Sequence, residues 1–125
     1  MRTSTAVALW VVRITGLIQI ILGVLFWTRN ALALVPVHML SGTILVLALW
    51  FLSFQVIQSG SSPSLGYIGI VWGLLTVTLG MTQTQLLPGT YHWVIQVLHL
   101  LVGLGAMGLA DSSSRSIAAR QMYAR

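Results

Sequence analysis

The side chains best suited to hold a cofactor in this chain are its three histidines, His38, His92 and His99. Two of them begin the same short pattern, since His38 is followed four residues later by Gly42 and His99 by Gly103. Residues four apart share one face of a helix, so each of these histidines has a neighbouring position without a side chain. Because imidazole ligates metals and haem iron, the pattern predicts two ligands presented from two helices.

The composition excludes several other kinds of site. The 125 residues include no cysteine and no lysine, and Asp111 is the only acidic residue. Disulfides, thiolate metal sites, iron–sulfur clusters and thioether-linked haem are therefore excluded, and so is a lysine Schiff base. A carboxylate-bridged metal site is excluded as well. Ion-coupled transport, which usually needs a carboxylate within the membrane, is disfavoured.

The low charge content indicates that lipid is the main solvent of the chain. Hydrophobic residues make up 57% of the sequence and charged residues 6%, and the mean hydropathy is +0.94. A soluble domain carries about 25% charged residues, so this chain has too few charges to cover a soluble surface. The net charge of +5 comes from arginines near predicted helix ends. We interpret these arginines as topology signals and expect no nucleic acid as a partner.

Four apolar segments are each long enough for a transmembrane helix, which needs about 20 residues. They cover residues 6–28, 34–58, 65–84 and 90–110. The predicted fold class is all-α, a four-helix transmembrane bundle over residues 1–112. Residues 113–125 are predicted to form a short polar tail at the interface.

The arginines predict the orientation of the bundle. The first connection carries Arg29 and the other two carry no charge, whereas four arginines flank the two termini, namely Arg2, Arg115, Arg120 and Arg125. The positive-inside rule therefore puts both termini in the cytoplasm, and the second and fourth spans run in parallel. The expected location is the cytoplasmic membrane of a prokaryote.

Arg13 is unusual because it interrupts the first apolar segment. We expect its side chain to extend towards the cytoplasmic interface, with a cofactor carboxylate as the alternative partner. The residues Ala31-Leu32-Ala33 have the small-x-small pattern of a signal-peptide cleavage site. Because the apolar stretch before them is long and contains Arg13, we expect the first span to be retained.

Glycines extend the histidine pattern into an internal repeat. Gly16 and Gly23 lie seven residues apart in the first span, and Gly73 and Gly80 lie seven apart in the third. The chain therefore reads as two similar helical hairpins. Stripes of small residues on spans one and three would line a slot for a flat cofactor, although ordinary packing between membrane helices also favours small residues.

Paired imidazoles on parallel helices with glycine-lined neighbours suit a haem b with two axial ligands. The chain resembles the small four-helix membrane b-type cytochromes, the broad cytochrome b561-like group, in His38 with Gly42, His99 with Gly103, and the glycine pairs 16/23 and 73/80. The resemblance implies a membrane protein that carries electrons. We expect one haem b, with two as the alternative, and His38 and His99 as the metal ligands.

Three further residues are candidates for the outer part of this site. His92 and Gln96 lie on the same predicted stripe as His99, and Arg29 is on the same side of the membrane. His92 could contact a haem propionate, bind a quinone or ligate a second haem, and Arg29 could pair with propionates. Three histidines cannot supply two bis-histidine sites within one chain.

The function itself has alternatives. The chain could be a plain electron carrier or a quinol-linked oxidoreductase, with a redox partner protein or a second copy of itself as partner in the bilayer. Its small size and short connections also suit a non-catalytic small subunit or an assembly factor of a larger membrane complex. A small passive transporter is the third class.

Overall fold

The computed structural model describes residues 3–123, which form four long helices joined by short connections. The helices are α1 (Thr3–Trp27), α2 (Val35–Ser59), α3 (Pro63–Thr82) and α4 (His92–Tyr123). Within this part of the chain all four are long and apolar enough to cross a membrane, so the predicted all-α class with four helices of spanning length is confirmed. Arg2 and Arg125, which entered the predicted orientation, lie outside the described residues.

The predicted spans match the helices to within three residues, except at the end of α4. This helix continues without a break to Tyr123, through residues that the sequence assigns to a polar tail. Ser113, Ser114 and Ile117 of this extension are buried. The polar residues after Ala110 therefore show where the apolar span ends, but they do not end the helix. The helix continues because its next turns still pack against the bundle.

The connections use residues that end or begin helices. Gly60 ends α2 with a φ of 64°, and its N–H donates to the carbonyl of Ile57. Glycine adopts this left-handed conformation without the strain that a Cβ would cause. Pro36 and Pro63 lie in the first turns of α2 and α3, where the missing N–H costs no intrahelical bond. These residues keep the connections short and place consecutive helices antiparallel.

Helices α2 and α4 pack directly against each other at the centre of the bundle. Each of α1 and α3 packs against both of them, whereas α1 and α3 do not meet within the described residues. The start of α1, the last turns of α4 and the α2–α3 turn lie at one end, which we call the termini end. The α1–α2 and α3–α4 connections form the other end, which we call the histidine end because α2 and α4 carry their histidines towards it.

The tightest packing lies towards the termini end. The larger apolar core joins α1, α2 and α4, and its buried residues are Ala8, Leu9, Val12, Leu45, Val46, Leu49, Leu52, Ala106 and Ala110. Towards the histidine end the buried core shrinks to Leu79, Ile95 and Val102, packed with Trp72. The bundle is therefore closely packed at one end and more loosely packed at the other.

Buried positions recur between the two hairpins at constant separations. Six of the seven buried residues of α2 have a buried counterpart 61 residues later in α4, at positions 41/102, 45/106, 49/110, 52/113, 53/114 and 56/117. The same separation of 61 residues relates His38 to His99. All four buried residues of α3 have a buried counterpart 57 residues earlier in α1, at 9/66, 12/69, 16/73 and 22/79. The two hairpins thus bury corresponding faces.

Two indole rings link α3 to its neighbours. Trp50 Nε1 donates to the carbonyl of Ile70 at 3.1 Å, and Trp72 Nε1 donates to the carbonyl of Val102 at 2.8 Å. A side chain at Gly105 would collide with the Trp72 ring, so this ring lies directly against the backbone of α4. The indole thereby contributes both packing and a hydrogen bond to the α3–α4 contact.

We expect the Trp72→Phe substitution to lower the free energy of unfolding by about 1 kcal/mol, because phenylalanine keeps an aromatic ring but cannot donate to the Val102 carbonyl. Thermal unfolding in detergent measures the effect. Trp93→Phe is the matched control, since the Trp93 side chain is 54% exposed, and its stability should stay at the wild-type level. Equal losses in the two variants would show that the hydrogen bond contributes nothing specific.

Candidate functional site

The structure brings His38 of α2 and His99 of α4 together near the histidine end. Their ring centroids are 6.3 Å apart, and the ring planes are inclined by 51°. The two helices run in parallel and contact each other directly, so residues in corresponding positions lie at the same depth. The histidines that the sequence predicts as a pair are therefore neighbours across the central helix contact.

Both imidazoles are half-buried among aromatic and small residues. Phe26 of α1 packs edge-on against His38, with 5.3 Å between the ring centroids. Gly80 of α3 lies so close to His99 that an added Cβ would be 3.3 Å from the Cε1 atom of the imidazole. The pair is thus enclosed by side chains or backbone from all four helices.

Each histidine of the pair has a buried nitrogen without a partner. Nδ1 of His38 and Nδ1 of His99 are both buried, and neither makes a hydrogen bond within the described residues. A buried polar atom without a partner costs free energy, so such atoms are uncommon outside functional sites. The hydroxyls of Ser53 and Ser113 are also buried without a partner, so the two nitrogens are distinguished by their closeness to each other.

Gln19 of α1 holds the backbone that carries His38. Its Nε2 donates to the His38 carbonyl oxygen and, at 2.6 Å, to the Ser41 hydroxyl. The Ser41 hydroxyl in turn donates to the same carbonyl at 3.2 Å. A Cβ at Gly42 would lie 3.2 Å from the Gln19 amide nitrogen, so the glycine makes room for this amide. Sequence reasoning missed the contact, although Gln19 is the only amide side chain of α1.

Two of the glycines predicted to line a cofactor slot serve helix packing instead. An added Cβ at Gly16 would lie 2.5 Å from the sulfur of Met107, and one at Gly73 would collide with the Trp50 indole. Both glycines are buried near the middle of their helices. They let a large side chain from α4 or α2 approach the backbone of α1 or α3.

Two other glycines in the histidine half of the bundle have free space beside them. Nothing lies within 4 Å of an added Cβ at Gly23 of α1 or at Gly103 of α4. Gly103 follows His99 by one helical turn, and Gly23 precedes Phe26 by one turn. Of the six predicted glycines, only these two have open space beside them, whereas Gly80 lies against His99.

His92 is the first residue of α4 and lies two turns from His99 towards the connection. Its Nδ1 is 3.2 Å from the carbonyl oxygen of Leu86. Because a carbonyl can only accept, Nδ1 is the donor, and Nε2 of the neutral ring is left as an acceptor. The hydrogen bond of His92 is thus made to the α3–α4 connection.

The two other candidate residues lie in the same half of the bundle. Half-buried Gln96 lies one turn further along α4 than His92, and exposed Arg29 lies in the α1–α2 connection with a φ of 58°.

Comparisons with family models, with curated proteins and with solved structures gave no match for this chain. The resemblance to b-type cytochromes therefore stays a prediction from the residues. Evidence about function comes from the chemistry of the histidine pair.

The number of side chains that can bind one metal limits the kind of metal site that the chain can form. Within residues 3–123 no three histidine or acidic side chains converge on one point. A structural or catalytic metal ion bound by side chains needs about three or four of them. Haem differs because the porphyrin supplies the equatorial nitrogens, so the protein has to provide only axial ligands. The described residues offer His38 and His99 as two neighbouring imidazoles.

Proposed function

We propose that the chain is an integral membrane b-type cytochrome that holds one haem b between His38 and His99 and carries electrons. The observation that supports this most directly is the 6.3 Å separation of the two ring centroids. When two imidazoles bind one metal ion from opposite sides, each nitrogen is about 2 Å from the metal, which puts the centroids roughly 6 Å apart. Ordinarily packed rings also have centroid distances of about 4.5–7 Å, so this separation supports a shared metal only together with the buried nitrogens that lack a partner.

The surroundings of the pair fit a haem in two further respects. Both imidazoles carry a buried nitrogen that lacks a protein partner, and Gly23 and Gly103 leave space in the same half of the bundle. The buried core is smallest at this end, where a wide, flat group would have to lie. When bound there, haem would supply an iron centre that exchanges single electrons.

The residues of the chain then have separate tasks in holding the group. His38 and His99 would hold the haem iron, and Gln19 with Ser41 fixes the helical turn that presents His38. Phe26 and Gly80 confine the two rings from α1 and α3. These contacts come from α1 and α3 and hold the two half-buried imidazoles in place.

Three polar residues near the histidine end complete the proposal. His92 offers an acceptor nitrogen because its Nδ1 is engaged with Leu86, so it suits a propionic acid group or a quinol hydroxyl. Arg29 offers an exposed cation, which suits a haem propionate, and Gln96 lies between His92 and His99 on the same helix face. A quinol or a redox protein would then deliver or receive electrons at this end.

We also propose that the bundle consists of two similar hairpins with both termini in the cytoplasm. The constant separations of buried positions support the repeat, since α1 corresponds to α3 and α2 to α4. Arg115 and Arg120 lie in the part of α4 at the termini end, and positive charge favours the cytoplasmic side. In this orientation the histidine pair lies in the outer half of the membrane.

Absorption spectroscopy tests the proposal. The full chain is expressed with haem supplied, purified in detergent and compared in its oxidised and reduced states. We expect a Soret band, the reduced α band of a bis-histidine haem b, and one haem per chain in a pyridine haemochrome assay. A colourless, folded protein in the presence of excess haem would overturn the proposal. Its stable co-purification with a larger membrane enzyme would then favour the role of a non-catalytic subunit.

A further inference from the structure

One carboxylate joins arginines of two helices towards the termini end. Nη2 of Arg13 in α1 is 2.6 Å from Oδ1 of Asp111 in α4, and Nη2 of Arg115 is 3.3 Å from Oδ2 of the same carboxylate. The partner of Arg13 is therefore a carboxylate of the protein itself and not that of a cofactor. Each oxygen of Asp111 faces a different guanidinium group.

The cluster keeps an excess positive charge and unused hydrogen-bond donors. Two guanidinium groups share one carboxylate, and Asp111 is the only acidic residue of the chain, so no other acidic side chain can cancel the remaining charge. A guanidinium group has five N–H donors, and Asp111 takes only a small part of this capacity. The side chains of Arg13 and Arg115 are 47% and 73% exposed, so their remaining donors are accessible from outside the bundle.

An exposed tryptophan indicates the depth at which the cluster lies. The guanidinium carbon of Arg13 is 5.5 Å from the centroid of the Trp10 ring, and Trp10 is 59% exposed. Exposed tryptophans of membrane helices prefer the headgroup region, where the ring is amphipathic and its surroundings are partly polar. Further along α1, Ile14 and Leu17 are exposed and apolar. The cluster therefore lies where apolar helix surface meets the headgroup layer.

We propose that Arg13, Arg115 and Trp10 form a binding site for the headgroup of an anionic phospholipid. Arginine pairs its parallel N–H donors with the oxygens of a phosphate. Asp111 holds the two guanidinium groups near each other, one from α1 and one from α4, so that their free donors can reach one phosphate. The excess charge selects an anionic headgroup over a zwitterionic one, and exposed Ile14 and Leu17 lie along the path of the acyl chains. The site is separate from the histidine pair.

The experiment measures which lipid the full chain retains. The protein is equilibrated with mixed micelles containing equal amounts of phosphatidylglycerol and phosphatidylcholine, and the lipids that remain bound are counted by native mass spectrometry. We expect the wild-type protein to retain phosphatidylglycerol preferentially. Arg115→Gln should reduce that preference about fivefold, as expected for the loss of one exposed charged contact. Arg13→Gln should reduce it at least as much.

The matched control is Arg120→Gln, on the same helix. Arg120 donates to the carbonyl of Gly60 at 3.1 Å and is not part of the cluster, so its variant should keep the wild-type preference. Because Arg115 is 73% exposed, its loss should not unfold the protein. An unchanged lipid preference in both Arg13→Gln and Arg115→Gln would overturn the proposal. Displacement of the lipid by inorganic phosphate at the same concentration would also overturn it, since the site would then bind free phosphate. Haem content is expected to be the same in all of these variants.

Discussion

Replacement of His99 by alanine is expected to lower the haem content of the purified protein at least tenfold while its helices remain folded. The proposed haem has one axial ligand on each side, so a variant that lacks either imidazole loses a metal bond. The loss of groups that merely orient a metal ligand already costs about 10–100-fold in affinity. We expect the same result for His38→Ala, because its ring centroid is 6.3 Å from that of His99 and both imidazoles would bind the same iron. The ratio of Soret to protein absorbance measures haem content, and circular dichroism measures helix content.

His92→Ala is the control that makes this test specific. It removes a histidine from the same helix, but one whose Nδ1 is bonded to the Leu86 carbonyl of the α3–α4 connection. Its haem content should fall far less than that of His99→Ala, because His92 would contact the edge of the haem and not its iron. Loss of haem from His92→Ala with retention in His99→Ala would show that the pairing is wrong. Retention of haem in both His38→Ala and His99→Ala would exclude these residues as ligands.

Substitution of Gly66 by alanine is expected to lower the free energy of unfolding by about 2 kcal/mol, since overpacking of a tight contact typically costs 1–3 kcal/mol. A Cβ at this position would lie 2.6 Å from the backbone oxygen of Ser53 and 2.5 Å from a side-chain carbon of Ile57. A backbone oxygen cannot turn aside as the end of a flexible side chain can. Helices α2 and α3 would therefore have to separate. Equilibrium unfolding in mixed detergent and denaturing detergent measures the loss.

Gly108→Ala in α4 is the matched control for Gly66→Ala. Nothing lies within 4 Å of a Cβ added at Gly108, so this substitution adds the same methyl group without a clash. Alanine is also the better helix former by about 1 kcal/mol, and the control should therefore be as stable as the wild-type protein or slightly more stable. Equal stability of the two variants would contradict the close approach of α2 and α3 at Gly66.

Most helix boundaries were predictable, because the length of each apolar segment and the turn residues between the segments indicate where helices begin and end. The start of each helix and the ends of the first three follow from runs of apolar residues and from prolines and glycines between them. The pairing of His38 with His99 also follows from the sequence, since a repeat on parallel helices puts corresponding residues at one depth. The end of α4 was not predictable in this way. Ser113 and Ser114 are polar, yet their small side chains are buried within the bundle.

The role of each glycine was harder to predict, because it depends on which side chain faces it from the neighbouring helix. Gly16 and Gly73 share a spacing with Gly23 and Gly80, but their partners are Met107 and Trp50. Those contacts depend on the rotation of each helix about its axis, which a stripe of small residues does not determine. The Arg13–Asp111 ion pair was not predicted, although the sequence contains a signal for it. The chain has one acidic residue, and an arginine inside a span needs a partner.

The uneven packing of the bundle implies an order of events in the biogenesis of the proposed cytochrome. Four core residues of α2 and α4 have no exposed surface, namely Leu49, Leu52, Ala106 and Ala110. Their packing can hold α2 against α4 in the absence of a cofactor. Local opening is easiest where few apolar groups are buried, which in this bundle is the histidine end. Haem could therefore enter a bundle that has already been inserted and assembled, and loading would be a late maturation step. The cofactor-free protein is then a folded precursor, unlike small metal domains that fold only on binding their metal.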